Sequence, residues 1–177
     1  MNFLNFRIVL TLFIIILLIY LKFYRDNYTF ETKYYWLDKP YTESKNNYIK
    51  NSKFNEKVIV QISDLHNESY GKNNKDLIKA VNKLNPDYIF LTGDLVSAND
   101  NDFNGFEDLL KGISPKYKCF YVIGNHEIEI RNLKKELFER FEDLLKKYDV
   151  TFLENEKVVL EEGINLYGLT YLSEVED

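Results

Sequence analysis

A chain of 177 residues, 45% of them hydrophobic, has room for one membrane segment and one ordinary domain but hardly for two cores. Its formal charge of -5, with acidic and basic residues interleaved, excludes a general nucleic-acid binder, so no nucleic-acid partner is expected. The single cysteine, Cys119, excludes an internal disulfide, and its apolar setting predicts a buried structural thiol.

Residues 1–25 read as a membrane anchor. Ile8 to Leu21 is a run of 14 residues broken only by the uncharged polar side chains of Thr11 and Tyr20. Extended to Phe3 and Tyr24 it reaches the roughly 20 residues that cross a bilayer, with Arg7 and Lys22 able to snorkel toward headgroups. The stretch Tyr20-Leu21-Lys22-Phe23-Tyr24 lacks the small residues of a signal-peptide cleavage site, so an uncleaved anchor is expected. Lys22, Arg25, Lys33 and Lys39 lie after the run, and a strict positive-inside count puts the C-terminal side in the cytoplasm. Short anchors with a basic residue ahead of them often export the domain on their C-terminal side, so both orientations stay open.

Residues 26–56 form a connector rich in Tyr, Asn and Lys, with an edge strand expected near Thr32 to Leu37 and Trp36 as an edge-strand or membrane-interface aromatic. A single domain is expected over 57–177. Its strands are Val58 to Ser63, Tyr88 to Thr92, Cys119 to Ile123, Thr151 to Leu153, Lys157 to Leu160 and Ile164 to Leu169. Between them lie three helical faces. The first, Leu77, Ile78, Val81 and Leu84, ends at Pro86, and the second comprises Phe106, Leu109, Leu110 and Ile113. The third runs from Leu133 through Leu137, Phe138, Phe141, Leu144 and Leu145. Such alternation predicts α/β layering around a largely parallel sheet.

Chemistry-bearing residues close three of the strands: Asp64-Leu65-His66, Gly93-Asp94, and Gly124-Asn125-His126-Glu127. Asp64 and Asp94 are 30 residues apart, Asp94 and Asn125 31, the length of one strand-helix-strand unit. Parallel strands deliver their C-terminal ends to one edge, where α/β proteins bind ligands. Carboxylates, imidazoles and a carboxamide gathered there suit divalent transition metals. Asp87, Asp100 and Asp102 read as surface or capping carboxylates.

These motifs, within Ile62-Ser63-Asp64-Leu65-His66, Asn85-Pro86-Asp87…Thr92-Gly93-Asp94-Leu95-Val96 and Ile123-Gly124-Asn125-His126-Glu127, resemble the calcineurin-like metallophosphoesterases, most closely their bacterial membrane-anchored branch. The resemblance covers about residues 57 to 170. It implies the N-terminal half of a four-layer αββα sandwich, preceded by one transmembrane helix. It also implies two divalent ions, Mn²⁺, Fe or Zn²⁺, with Asp64 and His66 on the first, Asp94 bridging, and Asn125 on the second. His126 would face substrate, stabilising phosphoryl oxygens or protonating the leaving group, and Glu127 would orient His126. A bridged pair of cations can polarise a shared water toward hydroxide and neutralise phosphoryl charge. The implied activity is hydrolysis of a phosphomono- or phosphodiester, and an anchor at the membrane fits a lipid-linked or cell-envelope substrate.

The family completes its dinuclear centre with further histidines, including a Gly-His-x-His motif, whereas His66 and His126 are the only two here. The second metal therefore keeps only Asp94 and Asn125. The expectation is a truncated copy of a longer enzyme or a half-domain of impaired activity. The alternative function is a non-catalytic, membrane-tethered remnant that binds a metal or a partner.

Overall fold

The computed structural model describes residues 3–35, 57–161 and 164–170. Contacts divide the chain into two units, Met1–Tyr35 and Trp36–Asp177. The first unit contains one helix, α1 (Phe3–Tyr28), whose Arg7–Tyr24 window is long and apolar enough to cross a membrane and is not buried within the protein. Side chains that are apolar on every face suit this helix to a lipid environment. The edge strand expected over 32–37 does not form in its described part, since residues 32–35 have no regular structure. Its remainder, with Trp36 and Lys39, lies outside the described residues.

The second unit is α/β, as the alternation predicts. Strands β1 (Ile59–Ile62), β2 (Tyr88–Thr92), β3 (Lys118–Val122) and β4 (Thr151–Phe152) form a wholly parallel sheet in sequential order. Helices α2 (Lys75–Leu84) and α3 (Asn104–Ile113) provide the first two crossovers. Two helices, α4 (Asn125–Leu133) and α5 (Lys135–Lys147), occupy the third. The chain then turns back on itself in an antiparallel hairpin, β5 (Glu156–Glu161) with β6 (Ile164–Gly168).

Period-two alternation along the strands sorts the side chains into two cores. On the helical face, Ile89, Leu91 and Tyr121 are wholly buried. There the Tyr121 ring lies 5.7 Å from Phe106 of α3 and 5.3 Å from Phe141 of α5. Cys119 is buried on the same strand, and burial pushes its thiol up to about 12, so it is a structural hydrophobe as expected. The opposite face carries Tyr88, Phe120 and Leu153, covered by Val158, Leu160 and Leu166 of the hairpin. The described residues thus supply three layers: helices, parallel sheet and hairpin.

The third helical face differs from its expected form at its start. Leu137, Phe138, Phe141 and Leu145 are buried on the single helix α5 as expected, but Leu133 belongs to the preceding helix α4, because the backbone at Lys134 leaves helical geometry (φ −136°, ψ 61°). The break resets the rotational phase. Leu133, expected on the buried stripe, is 74% exposed, while Glu127 and Ile130 form α4's own buried side.

Lys57 ties the hairpin to the sheet. Its ammonium pairs with Asp87 at 3.1 Å and Glu161 at 3.0 Å, and the Tyr88 hydroxyl donates to Glu161 at 3.0 Å. The Val58 amide and then Lys57 hold the Asp87 carboxyl below its ordinary range, and Lys57 and then Tyr88 do the same for Glu161. Carboxyls depressed in the folded state contribute stability above their unfolded pKa values and lose it as pH falls through the folded ones. Thermal stability should therefore drop below the ordinary carboxylate range of about pH 4, and Lys57→Met should flatten that drop in melts recorded against pH. In the other core, Phe141 is fully buried against Phe103, Phe106, Tyr121 and Phe138. Phe141→Ala should cost about 3–5 kcal/mol in a denaturant titration.

Candidate metal centre at the strand ends

The loops leaving β1 and β2 continue side by side beyond the sheet. The amides of Asp64, His66 and Asn67 donate to the carbonyls of Gly93 (3.2 Å), Asp94 (2.9 Å) and Leu95 (2.9 Å). This pairing holds a run of left-handed backbone: Asp64 (φ 55°), His66 (φ 50°), Asn67 (φ 61°) and Asp94 (φ 54°). Each such non-glycine residue costs on the order of 1–3 kcal/mol, and Asp, Asn and His tolerate the region best. Residues that can hold a metal are therefore also residues that the turn admits.

Asn67 and Asn74 anchor the first loop to α3. The Asn67 carboxamide oxygen accepts from the amides of Gly105 (2.9 Å) and Phe106 (3.3 Å), and its nitrogen donates to Asp100 and Asp102. Asn74, fully buried, donates to the Gly105 carbonyl at 2.6 Å and accepts from the Tyr70 amide at 2.9 Å. Asp102 also accepts from the Asn104 amide two residues on, an Asx-type turn that leads into α3.

The turn after β3 meets the turn after β2 at two glycines. A Cβ at Gly124 would stand 2.4 Å from Asp94 Oδ1, and one at Gly93 would stand 2.7 Å from Gly124 Cα. Gly93 also needs its positive φ of 81°. Beneath them lies Glu127, fully buried on the first turn of α4. Its Oε2 accepts from the amides of Gly124 (2.7 Å) and Asp94 (2.9 Å). Its Oε1 accepts from the Tyr121 hydroxyl (2.8 Å) and the Val96 amide (3.3 Å). All four acceptor positions of the carboxylate are thus filled. Burial, then the neighbouring charge of Glu127, pushes the Tyr121 phenol well above its ordinary pKa, which keeps its proton available for that bond. Glu127 therefore braces the Asp94 and Gly124 turns, whereas the family resemblance implies that it orients His126. No hydrogen bond between the Glu127 and His126 side chains occurs among the described residues.

His126 takes its orientation from elsewhere. The Ala98 amide donates to its Nδ1 at 3.0 Å, and its own amide donates to Asp94 Oδ1 at 2.9 Å. Its ring meets that of His66 edge-on, with centroids 4.6 Å apart. One donor atom from each of His66, Asp94 and His126 lies within 4.8 Å of the other two, and all three residues are half-buried. Asp94 Oδ2 and both ring nitrogens of His66 have no hydrogen-bond partner among the described residues. His66 and Asp94 keep donor atoms that fit a divalent transition ion, while His126, its Nδ1 taken by the Ala98 amide, brings its ring to the same rim.

Of the other expected ligands, Asp64 lies in the loop two residues beyond β1, is exposed, accepts from the Ser63 hydroxyl and lies outside that group of three. Asn125 opens α4 and is exposed. The His126 ring lies beside the His66 and Asp94 donor atoms, at the place where the resemblance implies a substrate-facing role. Sequence reasoning passed over Tyr121, Asn67, Asn74 and the Ala98 amide, since a strand tyrosine, loop asparagines and a backbone group carry no metal-site signature.

A family model described as calcineurin-like phosphoesterase matches residues 57–176. An uncharacterized metallophosphoesterase of Campylobacter jejuni is 30% identical over 113 residues, a match that takes in 61% of this chain and 26% of that protein. The chain thus spans about a quarter of that relative's length. Because Gly124 leaves Asp94 its place, Gly124→Ala should displace the carboxylate. Mn²⁺ affinity should fall about 10–100-fold, as when a ligand's support is lost, in a titration on protein that retains native circular dichroism.

Proposed function

Because the chain belongs to the calcineurin-like phosphoesterase family, we propose that it is a metal-dependent phosphoesterase acting on a phosphomono- or phosphodiester. One observation carries this reading to its own residues: His66, Asp94 and His126 converge at the C-terminal rim of a parallel sheet. Asp64, His66 and Asp94 would hold a first divalent ion, and Asp94 with Asn125 a second, the candidates being Mn²⁺, Fe or Zn²⁺. Bound there, such ions supply Lewis-acid charge for phosphoryl oxygens and an acidified water as nucleophile.

The chain's own residues do the positioning. The Asp94 turn, braced by Glu127, fixes the carboxylate before any ion arrives, so little reorganisation is required. Asp94 Oδ1 already accepts from the His126 amide, which leaves Oδ2 for an ion. His126 lies beside Asp94 with Nδ1 engaged, and its Nε2 is the edge left to meet a phosphoryl oxygen or a leaving group. The helix α1 would anchor this domain to a membrane, and a lipid-linked or envelope phosphoester would then lie within reach.

The test is hydrolysis of bis(p-nitrophenyl) phosphate and p-nitrophenyl phosphate by the full chain in detergent, with and without Mn²⁺. Hydrolysis should require the metal. Asp94→Asn should lower kcat by on the order of 10²-fold or more, since several kcal/mol of charge stabilisation depend on the ion it holds. Equal rates for the two proteins would overturn the reading. Metal binding without hydrolysis by the wild type would favour the non-catalytic metal-binding module.

A further inference from the structure

The turn that presents the Ala98 amide to His126 is itself stapled from the other side. Ser97 to Asp100 closes on an Asp100 amide to Ser97 carbonyl bond of 3.1 Å, and the Asn99 amide donates to the Ser97 hydroxyl at 3.2 Å. Lys134 reaches this turn from the break between α4 and α5. Its ammonium donates to the Ala98 carbonyl at 2.7 Å and the Asp100 carbonyl at 3.3 Å. Ala98 is therefore gripped at both ends, its carbonyl by Lys134 and its amide by His126 Nδ1. Lys134 is half-buried, and a charge-assisted bond to a carbonyl in such a place is about twice as strong as a neutral one.

An amide can only donate, so the imidazole nitrogen facing it must be an acceptor. With Nδ1 so engaged, the ring proton of His126 is confined to Nε2. We propose that Lys134 is a positioning residue that, by stapling the Ser97–Asp100 turn, fixes His126 in the Nε2–H tautomer. His126 thereby presents a hydrogen-bond donor toward the rim where Asp94 and His66 lie. The inference rests on the phosphoesterase reading only for the use of that donor, a phosphoryl oxygen being its acceptor.

The tautomer can be read directly because the chain has only two histidines. Long-range proton–nitrogen correlation spectra of histidine-labelled full chain in detergent micelles, without metal and at a pH where both rings are neutral, resolve each imidazole. His126→Asn identifies the signals of His126 by their disappearance. The wild type should give the pure Nε2–H pattern for His126, Lys134→Met a mixture of tautomers, and Lys134→Arg the wild-type pattern again. A mixed His126 pattern in the wild type would overturn the proposal even if Lys134→Met failed to fold. So would an unchanged Nε2–H pattern in folded Lys134→Met. A failure of the phosphoesterase reading registers separately, as absent metal-dependent hydrolysis with the wild-type tautomer intact.

Discussion

A buried carboxylate with every lone pair engaged organises this domain. Glu127 cannot turn toward water, and its four donors come from the β2 loop, the β3 turn and the β3 strand. An unpaired buried donor costs about 1–3 kcal/mol, so each of these groups is held where the carboxylate is. The result is a fixed junction between the Asp94 turn and the Gly124–Asn125 turn. Across that junction the β1 loop is added by three backbone bonds to the β2 loop. The convergence of His66, Asp94 and His126 is thus a property of the loops' shared scaffold, and the side chains inherit it.

The layers on either side serve that junction differently. On the helical face, Tyr121 is both a core ring, packed against Phe106 and Phe141, and a hydroxyl donor to Glu127. Core packing and site geometry therefore meet in one side chain. On the other face the hairpin covers Phe120 and Leu153 and is fastened by the Lys57, Asp87, Glu161 and Tyr88 group near the opposite end of the strands. That fastening is solvent-accessible and contributes little by charge alone. It sets where the hairpin lies, while Glu127 sets where the chemistry lies.

The strands and the parallel order were legible because their signal is local: apolar runs closed by Gly, Asp or Asn, repeated at the length of a crossover unit. The candidate metal ligands were legible for the same reason, since each follows the end of a strand. Helix α4 was hidden because its buried side is made by Glu127 and Ile130, and a glutamate reads as a solvated position in any periodicity argument. The stripe of Leu137, Phe138, Phe141 and Leu145 holds on α5, and only Leu133 falls off it, as Lys134 breaks the phase between two helices. Nor could composition reveal that Glu127 grips three backbone amides, that Ala98 orients His126, or that Lys134 holds Ala98. These contacts join loops through backbone amides and carbonyls, groups that every sequence shares.

The central claim is that the Glu127 carboxylate assembles a metal-binding rim from separate loops. Its most direct test is Mn²⁺ binding measured by loss of the free-ion electron paramagnetic resonance signal, comparing the wild type with Glu127→Gln at matched far-ultraviolet circular dichroism. The amide replaces an acceptor with a donor opposite other donors, so the turns should separate and the dissociation constant should rise about 10–100-fold. Equal affinity in two equally folded proteins would contradict the account.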